Sequence, residues 1–299
     1  MKKMGEFDYI DWLRRHAPAN RRVLVGPGDD AAVLDWSSGR PCLVTTDMLM
    51  DGVDFYLAEA GPFRVGRKTM AANLSDIAAM AGIPVAAVLA VALPRTGDSK
   101  LAEELYRGLR EVGDAFYTSI VGGDTNSWNG PLVISATVLG EPHGRGPVLR
   151  SGAKPGDWLL VTGPLGGSIR GKHLDFTPRV REALQLNERV HLHAMIDISD
   201  GLAADVGHIC DESGCGAVLR AENVPLSPAA AQLEQALFDG EDFELAFAVA
   251  PADGECLLRD QPIAGITLFK IGEFVEKGLW LEQAGKRRPL EPKGWQHEL

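Results

Sequence analysis

Several features that would place this chain quickly are missing from it. Across its 299 residues no apolar run approaches the about 20 needed for a membrane-spanning helix, so no membrane association is expected. Four cysteines (Cys42, Cys210, Cys215 and Cys256) are too few and too scattered for a disulfide scaffold in a chain of this length. They fit buried thiols in a reducing cytoplasm. The first residues, MKKMGEFDYIDWL, turn acidic after two lysines and offer no apolar h-region, so no signal peptide is expected and the expected location is cytoplasmic. Basic residues are outnumbered, 30 Lys and Arg against 41 Asp and Glu, for a net charge of −11. Nucleic acid is therefore not an expected partner, because phosphate backbones demand clustered Lys and Arg.

Familiar catalytic signatures are missing too. No G-x-G-x-x-G follows a strand pattern, and neither a G-x-S-x-G elbow nor an H-E-x-x-H helix occurs. The stretch Gly166–His173, GGSIRGKH, follows the P-loop pattern up to its last position, where His173 replaces the Ser or Thr that holds Mg²⁺. Pro178 then arrives too early for a long supporting helix, so a P-loop is not expected.

What the chain does contain is alternation of strand and helix. RRVLVG and RPCLVTTD read as β-branched strands, PVAAVLAVALP as a buried strand, and TSIVGGDT and PLVISATVLG as two more. Gly61-Pro62 opens a helix that runs through RKTMAANLSDIAAMAG, and SKLAEELYRGLREVGDAF is a second, amphipathic one. Around Gly144 to Asp157 the composition becomes rich in Gly, Pro and basic residues, as at an interdomain crossing. WLLVTG, HAMIDIS, AVLRA and FELAFAV then read as strands around a helix in GLAADVGHICDESG. The expectation is an α/β and α+β chain in two units, residues 1–143 and 144–299.

The acids fall at particular places in this pattern. VGPGDDAAVL sets Asp29 and Asp30 side by side on a glycine turn. Asp47 ends LVTTD, Asp124 ends SIVGGD, Asp197 and Asp200 lie in MIDISDG, and Asp76 lies in NLSDIAAM. Strand-to-loop junctions are where α/β folds place functional groups. Each acid alone has an ordinary reading: a solvated turn, a solvent-facing helix residue at Asp76, a helix cap at Asp200. Gathered together they require a counter-charge, since two carboxylates about 4 Å apart repel by roughly 4 kcal/mol at an effective dielectric near 20. Mg²⁺ takes a few carboxylates together with waters and substrate phosphates. Thr45 and Thr46 beside Asp47 offer hydroxyl or carbonyl ligands. The acid set thus points to Mg²⁺ and a phosphorylated substrate.

The ordered motifs GDDAA, TTDMLMDGVDF, NLSDIAAMAG, GGDT, RSGAKPGD, MIDISDGL and GEDFEL resemble the thiamine-monophosphate kinase family, from about Gly5 to Trp295. That family lies within the superfamily of aminoimidazole ribonucleotide synthetase. The resemblance implies a two-domain architecture of that superfamily, with an N-terminal sheet that pairs with a second subunit in a homodimer. It implies transfer of the ATP γ-phosphoryl to thiamine monophosphate, with several Mg²⁺ ions as cofactors and no general base. By the same resemblance Asp30, Thr45, Thr46, Asp47, Asp76, Asp124, Asp197 and Asp200 are metal ligands. Gly123, Asp124, Arg150, Ser199 and Tyr106 contact ATP, while Asp54, Glu241 and Trp295 face the thiamine end. The chain departs from the family's usual G-x-H-F at Gly52-Val53-Asp54-Phe55, and has Asp239 where a second glycine is usual. Two other readings remain open: an ATP-dependent enzyme of the superfamily with another acceptor, and a non-catalytic Mg-nucleotide sensor. Selenophosphate synthesis is not expected, because no Cys and Lys pair precedes GDDAA. The hydrogenase-maturation activity is not expected either, because the chain ends WQHEL, without a terminal cysteine.

Overall fold

The computed structural model describes residues 22–25, 29–37, 40–97 and 99–295. Within these, β-branched and apolar runs build two sheets, and one long helix between them carries the residues that matter most. The first sheet contains β1 (Val23–Val25), β2 (Ala32–Ser37), β3 (Arg40–Met50), β4 (Gly82–Pro94), β5 (Ser119–Trp128) and β6 (Val133–Pro142), in the spatial order β1-β2-β3-β6-β4-β5. All neighbours are antiparallel except β4 and β5, whose parallel pairing needs a crossover. The amphipathic helix α2 (Ser99–Ala115) supplies it.

Helix α1 (Leu57–Ala79) is interrupted at Gly61, which sits at φ 74°, and Pro62 begins the regular portion, as its fixed φ and missing N–H favour. The segment that follows is buried nearly all round, with Val65, Met70, Ala71, Leu74, Ile77 and Ala78 beside the polar Lys68, Thr69, Asn73 and Ser75, so it is covered on more than one side. It packs against β3, β4 and β6 of the first sheet and against β8 (Leu192–Asp197) of the second. Its contact with α2 is a backbone approach. A Cβ on Gly66 would lie 2.1 Å from the Leu105 carbonyl oxygen, and one on Gly108 would lie 1.9 Å from that of Phe63.

The second sheet has the order β13-β12-β9-β11-β7-β10-β8. Its remaining strands are β7 (Trp158–Val161), β9 (Gly216–Arg220), β10 (Leu245–Val249), β11 (Phe269–Val275), β12 (Leu279–Gln283) and β13 (Lys286–Pro289). One face, with Met195, Leu245 and Phe247, continues the core around α1. The other, with Ile196, Leu219 and Phe274, packs on the helix over Leu202–Ser213 that follows the DISDG loop. Each predicted strand and both predicted N-terminal helices are present; β2, β11 and the β12–β13 hairpin, which pairs through β12 with β9, are additional strands.

The P-loop candidate forms a three-residue 3₁₀ turn (Ser168–Arg170) and a four-residue helix (Lys172–Asp175) that stops at Phe176. The Gly166 N–H donates to the Asp242 carboxylate, and Lys172 pairs with Glu244 at 3.0 Å. Its donors are already engaged within the protein, in agreement with the reading against a P-loop.

Candidate active site

The acids come from four elements that meet around α1. Alternation along β3 turns Leu43, Thr45, Asp47 and Leu49 toward the helix. The Asp47 backbone N–H donates to Asn73 Oδ1 at 3.1 Å, tying strand to helix, and the Thr45 hydroxyl donates to Asp76 Oδ2 at 2.5 Å. Asp197 ends β8, is 2% exposed, and receives the Ser75 hydroxyl at 2.6 Å. Asp30, just before β2, completes the group: oxygens of Asp30, Asp76 and Asp197 all lie within 4.8 Å of one another.

This concentration of charge changes the acids themselves. Burial, then repulsion from Asp54 and Asp30, lifts Asp47 to about 6. Burial and the neighbouring Asp30 lift Asp197 to about 8, and burial with Asp47, Asp197 and Asp30 raises Asp76 well above the usual carboxylate range. A set of oxygens this close holds together either protonated or around a hard cation, and the oxygen-only donor set fits Mg²⁺.

The two acids of GDDAA have separate tasks. Asp30 is gripped by Arg150 through both guanidinium nitrogens, Nε to Oδ2 at 3.0 Å and Nη2 to Oδ1 at 2.9 Å. Asp29 turns to the backbone, where it accepts the N–H groups of Arg150, at 3.2 Å, and of Asp30, at 3.0 Å. Burial and Asp30 raise Asp29 to about 7. Arg150, expected on ATP, is engaged through its guanidinium with Asp30.

A cavity of about 500 Å³ opens from this cluster. Asp47, Asp76 and Asp197 line one part; Asp54, Glu241, Phe243 and Trp295 line others, with Ser199 and Asp200 also on its wall. Glu241 and Phe243 sit at φ 54° and 49°, in the left-handed region that costs a non-glycine residue about 1–2 kcal/mol. The loop is pinned there by the Glu241 N–H to the Ser199 carbonyl at 2.7 Å and the Phe243 N–H to that of Ile198 at 2.8 Å. Phe243 also stacks on Phe176, centroids 3.9 Å apart. Trp295 is half-exposed, and its backbone N–H donates to the Asp200 carbonyl at 2.9 Å. The Asp54 carboxylate, at the position of the departure from G-x-H-F, accepts the Met50 N–H at 2.7 Å and so closes its own turn.

Four expected residues lie elsewhere. The Thr46 hydroxyl projects from the opposite face of β3, donating to the Ala136 carbonyl at 3.0 Å and accepting from Thr137 at 3.0 Å. Asp124 is in register with Ala90, Ser135 and Met48, which puts it three strand spacings, about 14 Å, from β3. Together with Gly123 and Tyr106 it borders a second cavity, about 460 Å³, between α2 and the edge strand β5. A Cβ at Gly123 would meet the Leu89 carbonyl oxygen at 2.1 Å, so glycine is required there.

Sequence reasoning passed over Lys68. Its side chain is 2% exposed, and its ammonium donates to the Asp54 carbonyl at 2.6 Å and to the Glu241 carboxylate. The available signal was spacing: Lys68, Ala72 and Asp76 stand four apart on one stripe of α1, and all three line the large cavity.

Two family models cover the chain: the AIR synthase related protein N-terminal domain matches residues 28–141, and the corresponding C-terminal domain matches residues 154–279. The chain belongs to the AIR synthase related family, among its thiamine-monophosphate kinases. The thiamine-monophosphate kinase of Rhodopirellula baltica is 41% identical, over 98% of this chain and 97% of that protein. That of Caulobacter vibrioides is 38% identical, over 98% and 90%. Among solved structures, AaThiL complexed with AMPPCP and TMP superimposes with a TM-score of 0.84 at 29% identity, covering 99% of this chain and 98% of that one.

Proposed function

We propose that this protein transfers the γ-phosphoryl group of ATP to the phosphate of thiamine monophosphate, giving thiamine diphosphate and ADP. The observation that carries the reading is one cavity joining a buried acid cluster (Asp30, Asp76 and Asp197, with Asp47 beside it) to an acidic and aromatic wall of Glu241, Phe243 and Trp295. The kinship with thiamine-monophosphate kinases supports the same substrates. Several Mg²⁺ ions would be held by Asp30, Asp47, Asp76 and Asp197 with the Thr45 hydroxyl, and by Asp200 at the cavity wall. Bound there, the cations supply neutralisation of the charge on the transferring phosphoryl group.

The chain's own residues position the groups that react. Arg150, Thr45 and Ser75 each fix one carboxylate by a hydrogen bond, so the cluster is oriented before substrate arrives. The acceptor is a phosphate oxygen, ionised near neutral pH, so transfer needs positioning and no proton abstraction. At the other end Glu241 and the Trp295 ring offer a carboxylate and a π face to the thiazolium cation. Asp54 takes part through its position on the cavity wall, its carboxylate being engaged with Met50. Gly123, Asp124 and Tyr106 at the second cavity, with Ser199 at the first, complete the residues we assign to nucleotide.

We assign residues 1–143 and 144–299 to two domains, a cytoplasmic location, and a homodimer formed through the first sheet. The open face of that sheet, away from α1, exposes Met48, Ile83, Val85 and Val88 around the Thr46–Thr137 hydroxyls, which supports a partner there. Thr46 therefore faces that partner. Sedimentation equilibrium is expected to return twice the chain mass; a monomer at micromolar concentration would remove the dimer.

The kinase reading is tested by ADP release with thiamine monophosphate, thiamine or no acceptor present. Release is expected with thiamine monophosphate alone. ATP binding without acceptor-dependent release from any of them would point to a sensor instead.

A further inference from the structure

The large cavity is lined by seven carboxylates and, among the described residues, by a single cationic side chain, Lys68. Its ammonium is buried, so it has already lost its water, and in place of water it holds the Asp54 carbonyl and Glu241. Along α1 it stands two turns, about 12 Å, from Asp76, with the small Ala72 between them on the same stripe. A phosphate lying over Ala72 therefore has the acid cluster on one side and the ammonium on the other.

We propose that Lys68 binds the acceptor phosphate, and that the Lys68–Glu241 ion pair occupies the acceptor subsite in the absence of substrate. The inference rests on the kinase reading above. Thiamine monophosphate carries a fixed thiazolium cation and a phosphate anion. On binding, one internal pair is exchanged for two: Lys68 with the phosphate, and Glu241 with the thiazolium. The exchange leaves neither buried charge unpaired, which matters because an unpaired one is costly. It also explains how a cavity so rich in carboxylates accepts an anionic substrate, the ammonium flanking the phosphate on the side away from the acid cluster. No bond is made or broken in this step, and Lys68 acts by binding and orientation.

Calorimetric titration with thiamine monophosphate and with thiamine, in Mg²⁺ and without ATP, separates the two charges. Lys68→Met is expected to weaken thiamine monophosphate by about 10–100-fold, the loss of one charged hydrogen-bond partner, and to change thiamine by less than about 3-fold. In steady state the KM for thiamine monophosphate rises while the KM for ATP stays within about 3-fold. Lys68→Arg, which keeps the charge, is expected to recover part of the loss. Equal loss for both ligands, or no loss for either, overturns the proposal. Should Lys68→Met fail to fold, the ¹⁵Nζ resonance of Lys68 in the wild type, assigned by its disappearance in Lys68→Arg, decides. It is expected to shift with thiamine monophosphate and not with thiamine; a shift with both or with neither overturns the assignment. A wild type that neither binds thiamine monophosphate nor releases ADP in its presence defeats the kinase reading itself, and this inference with it. A wild type that does both, beside an unaffected Lys68→Met, defeats this inference alone.

Discussion

Asp76→Asn is expected to lower turnover by about 10³-fold at saturating Mg²⁺ and ATP, with the fold intact. Asp76 is held near Asp47 on β3 and near Asp30 and Asp197, and its carboxylate is aimed by the Thr45 hydroxyl at 2.5 Å. An amide keeps that hydrogen bond and almost the same volume, but brings no charge to a cation. Because Asp76 is held among other acids, removing its charge relieves repulsion. The metal-free variant is therefore expected to melt at or above the wild-type temperature while losing activity, the opposite directions expected of a functional site that lowers stability. Steady-state rates and calorimetric melting in EDTA check both halves. Turnover within about 10-fold of wild type, or a melting point well below it, would take Asp76 out of the role assigned to it.

The second large effect is a pH-dependent stabilisation by Mg²⁺. Burial and the neighbouring acids push Asp47 up to about 6 and Asp197 up to about 8 in the folded protein, and raise Asp76 as well, against about 4 for an aspartate in the unfolded chain. Protons thus bind the folded state more tightly. Their contribution to stability is complete below pH about 4 and is lost as pH rises through about 6 to 8. Mg²⁺ replaces those protons, so its effect grows over the same window. At pH 8, Mg²⁺ at 100 times its dissociation constant contributes about 2.7 kcal/mol, a rise of roughly 5 °C or more in Tm. At pH 5 the shift is expected to be small, because cations compete there with bound protons. Scanning calorimetry at both pH values, with Mg²⁺ and with EDTA, gives the comparison. Equal shifts would mean that the cation binds outside the cluster.

The division of labour within the site was only partly legible in the sequence. The strands and the two N-terminal helices follow from apolar periodicity, and the positions of Asp47, Asp76 and Asp197 at or near element ends follow with them. The parity of Thr45 and Thr46 was open to the same reasoning: neighbours on a strand face opposite ways, so only one could reach an acid on α1. Only the family resemblance chose Asp30 over Asp29; local pattern does not distinguish them, because what separates them is Arg150, 120 residues further along, which takes the Asp30 side chain and leaves its own N–H to Asp29. Lys68 left only its spacing to Asp76 as a local sign, since the partners that hold it buried, Asp54 and Glu241, come from elsewhere in the chain. Asp124, expected at a strand end, lies inside β5, which runs on to Trp128, and strand order, β3-β6-β4-β5, sets it apart from the other acids.

The central claim is that phosphoryl passes directly from ATP to thiamine monophosphate. ³¹P NMR of purified protein with ATP, Mg²⁺ and thiamine monophosphate tests it most directly. The account predicts that the thiamine monophosphate singlet is replaced by the two coupled signals of thiamine diphosphate, in step with ADP. Conversion of ATP to ADP and inorganic phosphate with that singlet untouched would contradict it.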